Sequence, residues 1–194
     1  MSDTRVLVTV GTHEQPFQRL LDAVSLVIDQ GAAAEWVVQY GVATFDPRQA
    51  LHAEPYLSHD ELLRWNQWAD IAFTGGSPGG IFDALAADTE PFVIPRRHQH
   101  GEHINDHQVE FADRMVELGL VVTLDAGETA EDLADALRAT IERVALEDPD
   151  ERRRRIQAIA AESRARTQAF VEGFAEVVTP LLDKGATRSR RKRS

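Results

Sequence analysis

The 194-residue sequence contains no cysteine, which excludes disulfide staples and thiolate metal sites and fits a reducing compartment. It also lacks any apolar run near the roughly 20 residues needed to span a bilayer. The apolar stretch Val6–Val10 is too short for a secretory leader, and the polar Gly11-Thr12-His13-Glu14 follows at once. These absences point to a soluble, cytoplasmic protein. Basic charge is scarce as well. The formal net charge is −11, yet Lys184, Arg188, Arg190, Arg191, Lys192 and Arg193 crowd into residues 184–194 with no acid among them. Removing those six charges leaves −17 on residues 1–183, which argues against a nucleic-acid-binding surface on the body of the chain. The 184–194 tail is expected to be disordered. It is either a solubilising end or a segment drawn to anionic lipid head groups, at about 1 kcal/mol per basic residue close to the surface; RNA binding is the third reading. No internal repeat and no linker divides residues 1–183, which are expected to form one domain.

Strand-like and helix-like segments alternate along the chain. Val6–Val10, Trp36–Tyr40, Ile71–Thr74, Phe92–Ile94 and Leu120–Leu124 are short apolar runs, with a brief extended piece near Ala53–Leu57. Between them, Phe17, Leu20, Leu21, Val24 and Ile28 fall on one helical face, with Pro16 placed for a first turn. Ser58 or Asp60 caps a second helix through Trp68, with Leu62, Leu63 and Trp65 inside. Further helical patterns cover Ile81–Ala87, Ile104–Leu118 and Ala130–Val144. Residues 150–182 read as one long C-terminal helix with a weak apolar stripe, and Arg152–Arg155 at its start as a solvated face. This alternation calls for an α/β fold, a Rossmann-like parallel sheet with helices on both faces.

In such a sheet, ligands bind at the carboxyl ends of strands, so three loops deserve weight. The first is Gly11-Thr12-His13-Glu14-Gln15-Pro16. It is either a plain strand-to-helix turn or a phosphate contact through Thr12, with a polar or general-base role for His13 or Glu14. The second holds Gly75, Gly76, Ser77, Pro78, Gly79 and Gly80, and fits neither the dinucleotide fingerprint nor the P-loop. So many glycines carry a large entropic cost for mere connection, and a turn of this kind lets backbone N–H groups approach an anion such as a diphosphate. Asp83, expected in the first turn of the next helix, either caps it or accepts hydrogen bonds from ribose hydroxyls. The third loop holds His98, His100, Glu102, His103, Asp106 and His107. His103 and His107 are four apart and would share one helix face. They could serve a metal ion, although the spacing is not H-E-x-x-H, or hydrogen-bond a sugar or phosphate. Arg96 and Arg97 either pair with these acids, meet ligand phosphate, or form surface salt bridges.

Four segments together carry a family resemblance: Val-Thr-Val-Gly-Thr-His-Glu-Gln-Pro-Phe-Gln-Arg-Leu at 8–20, Pro-Tyr-Leu-Ser-His-Asp-Glu-Leu at 55–62, the glycine-rich segment at 75–80, and Gly-Glu-His-Ile-Asn-Asp-His-Gln at 101–108. Over roughly residues 5–145 the chain resembles the carboxyl-terminal domain of family-28 glycosyltransferases. Within that family it is most similar to the Alg13-like and PssE-like subunits of exopolysaccharide glycosyltransferases. The resemblance implies the C-terminal, donor-binding half of a GT-B enzyme. It would take a UDP-sugar without a metal ion or other cofactor and move a hexose to a lipid-linked saccharide. It places the phosphates against Gly11, Thr12, Gly75, Gly76, Ser77, Gly79 and Gly80 and the ribose at Asp83; Arg97 joins the expected ligand contacts on its own position, not through the resemblance. Glu102, His103, Asp106 and Gln108 match the loop that reads the sugar. His13 and Glu14 are the catalytic candidates on this chain. The resemblance also implies an Alg14-like or PssD-like membrane-anchored partner that presents the acceptor, so the catalytic base lies either here or on that partner. Two departures stand out: Gly75 occupies a position where relatives carry histidine, and Asp83 is one methylene shorter than their glutamate. A non-catalytic UDP-sugar-binding or regulatory subunit and a UDP-sugar hydrolase or epimerase are the alternative functions.

Overall fold

The computed structural model describes residues 4–124, 127–166 and 168. Six strands, β1 (Thr4–Thr9), β2 (Ala34–Gln39), β3 (His52–Glu54), β4 (Ile71–Thr74), β5 (Glu90–Val93) and β6 (Val122–Thr123), form one sheet in the order β3-β2-β1-β4-β5-β6. Every pairing is parallel. Helices α1 (Gln18–Asp29), α2 (His59–Trp68), α3 (Pro78–Ala86), α4 (His107–Glu117) and α5 (Ala130–Leu146) connect the strands, and a further helix, α6, occupies 149–166. The expected α/β class, the parallel sheet and the helical cover are all present.

Both sheet faces are apolar because both are covered. Val6, Val8, Trp36, Val38, Ile71, Phe73 and Phe92 point to one side, where α1 and α5 bury Leu20, Leu21, Val24, Leu133, Leu137 and Ile141 against them. Leu7, Val37 and Ala72 point to the other side, toward α2 and α3, while Val93 meets α3, α4 and Ala160 of α6. This period-two alternation is what two helical layers on one sheet require.

Several element ends differ from the sequence expectation. Helix α1 starts at Gln18, so Pro16 precedes it, and the fully buried Phe17 occupies the cap position. Helix α4 starts at His107 and not at Ile104, so His103 lies before it. On α2, Leu62, Leu63 and Trp65 are half-buried and Asn66 is the buried residue. Of the arginines at the start of α6, Arg153 and Arg154 are exposed as expected of a solvated face, but Arg152 is not, and Arg155 is exposed yet paired. Arg152 is buried and donates to Asp70 (3.1 Å) and to the Val144 carbonyl, and Arg155 reaches Glu90 at 3.0 Å. With the Arg5–Asp70 pair at 2.9 Å, these ties fasten α6 to the amino-terminal edge of the sheet, opposite the loops of interest. The second half of the expected 150–182 helix and the 184–194 tail lie outside the described residues. Among the described residues, no helix is long and apolar enough to cross a membrane.

Candidate functional site

A doubly wound sheet opens a crevice where the chain reverses its direction of strand addition. Here that point lies between β1 and β4, and a cleft of about 710 Å³ sits at the carboxyl ends of both strands. Its floor is polar. Thr9 and Thr74 face each other on the last β1–β4 rung, and Thr9 Oγ1 donates to Thr74 Oγ1 at 3.0 Å, both residues buried. At the end of β2, Gln39 grips Gly11 twice: the Gly11 N–H donates to Gln39 Oε1, and Gln39 Nε2 donates to the Gly11 carbonyl, both at 3.2 Å. Gly11 adopts φ +74°, a left-handed geometry that favours glycine. The turn that follows β1 is therefore fixed from the neighbouring strand.

The first loop contributes Thr12, His13, Glu14 and Gln15 to the cleft. His13 Nδ1 accepts a hydrogen bond from the Gln15 N–H at 3.3 Å, which leaves Nε2 as the proton-bearing nitrogen of the neutral ring. Behind it lies His103, buried, with ring centroids 4.2 Å from His13 and 4.5 Å from His107. Burial, then the neighbouring His13 and His107, hold the His103 imidazole below its ordinary basicity. Among the described residues, no three His, Asp or Glu side chains converge as metal ligands.

The glycine-rich segment divides into a short turn and the first turn of α3. Gly75, Ser77, Gly79, Gly80 and Asp83 line the cleft. Pro78, Gly79 and Gly80 are already helical, so Asp83 lies in the second turn of α3 and not the first. Ser77 occupies the cap position but its hydroxyl makes no capping bond, and no acid stands in the first turn. The exposed first-turn N–H groups and the positive end of the helix dipole are thus left open toward the cleft. Gly76 does not line the cleft; a Cβ there would lie 2.6 Å from the Gln108 carbonyl oxygen, so its role is the contact between this turn and α4. A Cβ on Gly80 would strike the Thr74 hydroxyl, whereas Gly79 faces open space.

From the third loop the cleft receives Arg96, Ile104 and Gln108. Gln108 is buried, and its Oε1 has no hydrogen-bond partner; the Oε1 of Gln15, on the opposite loop, is in the same state. The other residues expected at this wall are placed elsewhere. Glu102 is buried with both carboxylate oxygens held by Arg19, at 2.9 and 3.0 Å, and one of them also accepts from the Arg97 N–H. Asp106 Oδ1 accepts from the His98 N–H at 2.8 Å and orders the loop. Arg97, Glu102, His103 and Asp106 are not among the residues lining the cleft. Sequence reasoning passed over Thr9, Gln39 and Thr74, whose signal was polar residues ending otherwise apolar strands. It also passed over Asn66, a buried amide among the helical residues of α2.

Strand order, crevice and open helix end together define a Rossmann-like domain of the kind that forms the carboxyl-terminal half of GT-B enzymes. The chain belongs to the glycosyltransferase family 28 C-terminal domain family, whose model matches residues 5–167. No curated protein matches it. Among solved structures, the glycotransferase of kitacinnamycin is 23% identical with a TM-score of 0.62, over 88% of this chain and 43% of its own. The spinosyn rhamnosyltransferase SpnG, solved in complex with thymidine diphosphate, is 17% identical with a TM-score of 0.57, over 87% and 46%. MurG of Acinetobacter baumannii is 13% identical with a TM-score of 0.56, over 80% and 45%. The chain spans less than half the length of each of these proteins, and the likeness is one of fold.

Proposed function

We propose that this protein is the donor-binding half of a two-component glycosyltransferase. It takes a UDP-sugar in the β1–β4 cleft and delivers a hexose to a lipid-linked saccharide held by a membrane-anchored partner of the Alg14-like or PssD-like kind. The observation that carries this reading is the pairing of an open α3 amino terminus with the unpartnered Oε1 of the buried Gln108 across one cleft. The first suits the negative diphosphate. The second is a buried acceptor that lacks a donor, which a sugar hydroxyl supplies. A family that transfers sugars, and a nucleoside diphosphate bound to another protein of this fold, support the same reading.

In this arrangement the N–H groups of Gly79 and Gly80 and the Ser77 hydroxyl stabilise the charge that grows on the departing diphosphate, without requiring a metal ion. Asp83 accepts from the ribose. Of the two catalytic candidates on the first loop, Glu14 takes the acceptor proton, while His13, with Nδ1 engaged by the Gln15 N–H, offers Nε2–H as a hydrogen-bond donor; the partner supplies the facing wall. A second reading, a donor-binding subunit with no chemistry of its own, is favoured by Gly75, which stands where the family resemblance implies histidine. The chain acts at the cytoplasmic membrane surface through its partner and has no nucleic-acid role.

The test is thermal unfolding of the full chain with UDP, in EDTA and again in Mg²⁺. At a ligand concentration about 100-fold above Kd, UDP is expected to stabilise by about 2.7 kcal/mol in EDTA. No shift with UDP or UDP-sugars, or a shift that needs the divalent ion, removes the reading. Transfer activity that appears only when the partner is added separates the enzyme from the non-catalytic subunit.

A further inference from the structure

Arg96 is 2% exposed, the largest of the fully buried side chains, and it lines the cleft. Its contacts are unusual for a buried cation. Nη1 donates to the Gln15 carbonyl (2.7 Å) and the Glu102 carbonyl (3.0 Å), and Nη2 donates to the Val10 carbonyl at 2.7 Å. The guanidinium also lies over the Phe17 ring, 4.8 Å from its centroid. Among the described residues no carboxylate forms an ion pair with it. Glu102, whose charge acts on it at longer range, has both carboxylate oxygens on Arg19. Arg152, the other buried arginine among the described residues, ends on Asp70.

Arg19, Glu102 and Arg96 therefore make a buried group of net charge +1 within an acidic protein. Carbonyl dipoles and an aromatic face offset part of the desolvation of a cation, but a full counter-charge does so better. Burial accordingly pushes the Arg96 guanidinium down, to about 10. Those carbonyls also come from two of the loops around the cleft: Val10 and Gln15 line it at the first loop, and Glu102 stands in the third, behind the lining.

We propose that Arg96 is the positioning residue for the ligand's diphosphate. It binds the two cleft loops together through their carbonyls and supplies, from beneath the surface, the positive charge that the diphosphate completes. This inference rests on the nucleoside-diphosphate reading above. It predicts discrimination by ligand charge, which a residue serving only the fold does not give.

The experiment is calorimetric titration of the full chain with uridine, UMP and UDP, for wild type, Arg96→Gln and Arg96→Lys. Arg96→Gln is expected to leave uridine affinity within about twofold while weakening UDP by about 10–100-fold, the range for a lost interaction with a charged group. UMP should fall between, and Arg96→Lys should regain part of the difference. An equal loss for all three ligands, or none, overturns the inference and leaves the donor-site reading in place. Wild type that binds none of them overturns the reading itself. Should Arg96→Gln not fold, the guanidinium ¹³Cζ resonance of Arg96 in wild type decides, assigned by its absence in Arg96→Lys. A shift with UDP and inorganic pyrophosphate but not with uridine supports the inference, and no shift with either phosphate overturns it.

Discussion

Helices α2 and α3 flank the same cleft, and their amino termini are treated in opposite ways. On α2 the Ser58 hydroxyl accepts from the Glu61 N–H at 3.3 Å and the Glu61 carboxylate returns to the Ser58 N–H at 2.9 Å, with Asp60 and Glu61 adding negative charge to the first turn. That end is satisfied by its own side chains. On α3 the same residue type, Ser77, leaves its hydroxyl unused, two glycines follow Pro78, and no acid answers the dipole. A serine before a helix thus says little by itself. What distinguishes the two is the residue three places on: glutamate closes a capping box, whereas Gly80 has no side chain to return and presses against Thr74. An unsatisfied helix end at a strand's carboxyl edge is where an external anion is worth most.

The sharpest way to break this comparison is within α3's own turn. Gly76→Ala puts a Cβ 2.6 Å from the Gln108 backbone oxygen, so it should cost about 1–3 kcal/mol, as overpacking does, and lower UDP affinity with it. Gly79→Ala meets nothing within 4 Å and should gain about 0.4–1 kcal/mol of stability while weakening UDP. Urea unfolding together with calorimetry reads both; parallel losses at the two positions would show that the turn is only a connection.

Exchanging the two serines gives the next effect. Ser58→Ala should cost about 0.5–2 kcal/mol of stability with UDP affinity unchanged. Ser77→Ala should leave the urea midpoint in place and weaken UDP by about 0.5–1.5 kcal/mol. If both variants lose stability equally, the two ends are not different after all.

The smallest effect concerns pH. His103 is held below its unfolded basicity by burial and by its two histidine neighbours, so the folded state favours the neutral ring. The stability it contributes is present above the unfolded value, near pH 6.5, and is lost as pH falls through the folded value. Urea midpoints taken between about pH 7.5 and about pH 5 should decline, and His103→Gln should flatten that decline; an unchanged slope would place the linkage on other groups.

The fold was legible because both sheet faces are buried, which leaves continuous apolar runs such as Val6–Val10 and Ile71–Thr74 that only a two-sided parallel sheet explains. The cleft was legible in part. Gly11, Ser77, Asp83 and Gln108 line it as their loops suggest. Of the adjacent arginines, the chain's direction on leaving β5 turns Arg96 inward, and no periodicity foretells which of two neighbours turns. Glu102 pairs with Arg19, a partner 83 positions away, and such a contact leaves no local trace. The inward ties of Arg152 and Arg155 went unread for the same reason: Asp70 and Glu90 sit at the starts of distant strands.

At Gly76 the absence of a side chain lets the turn before α3 rest directly on the main chain of Gln108. Mechanically the two segments form a single strut with no slack between them. A movement of the turn toward α4 meets the Gln108 main chain at once. In the proposed two-component enzyme, opening and closing around the donor would fall to the rigid-body approach of the partner, so residence time should respond to that opposing surface more than to the stiffness of these turns.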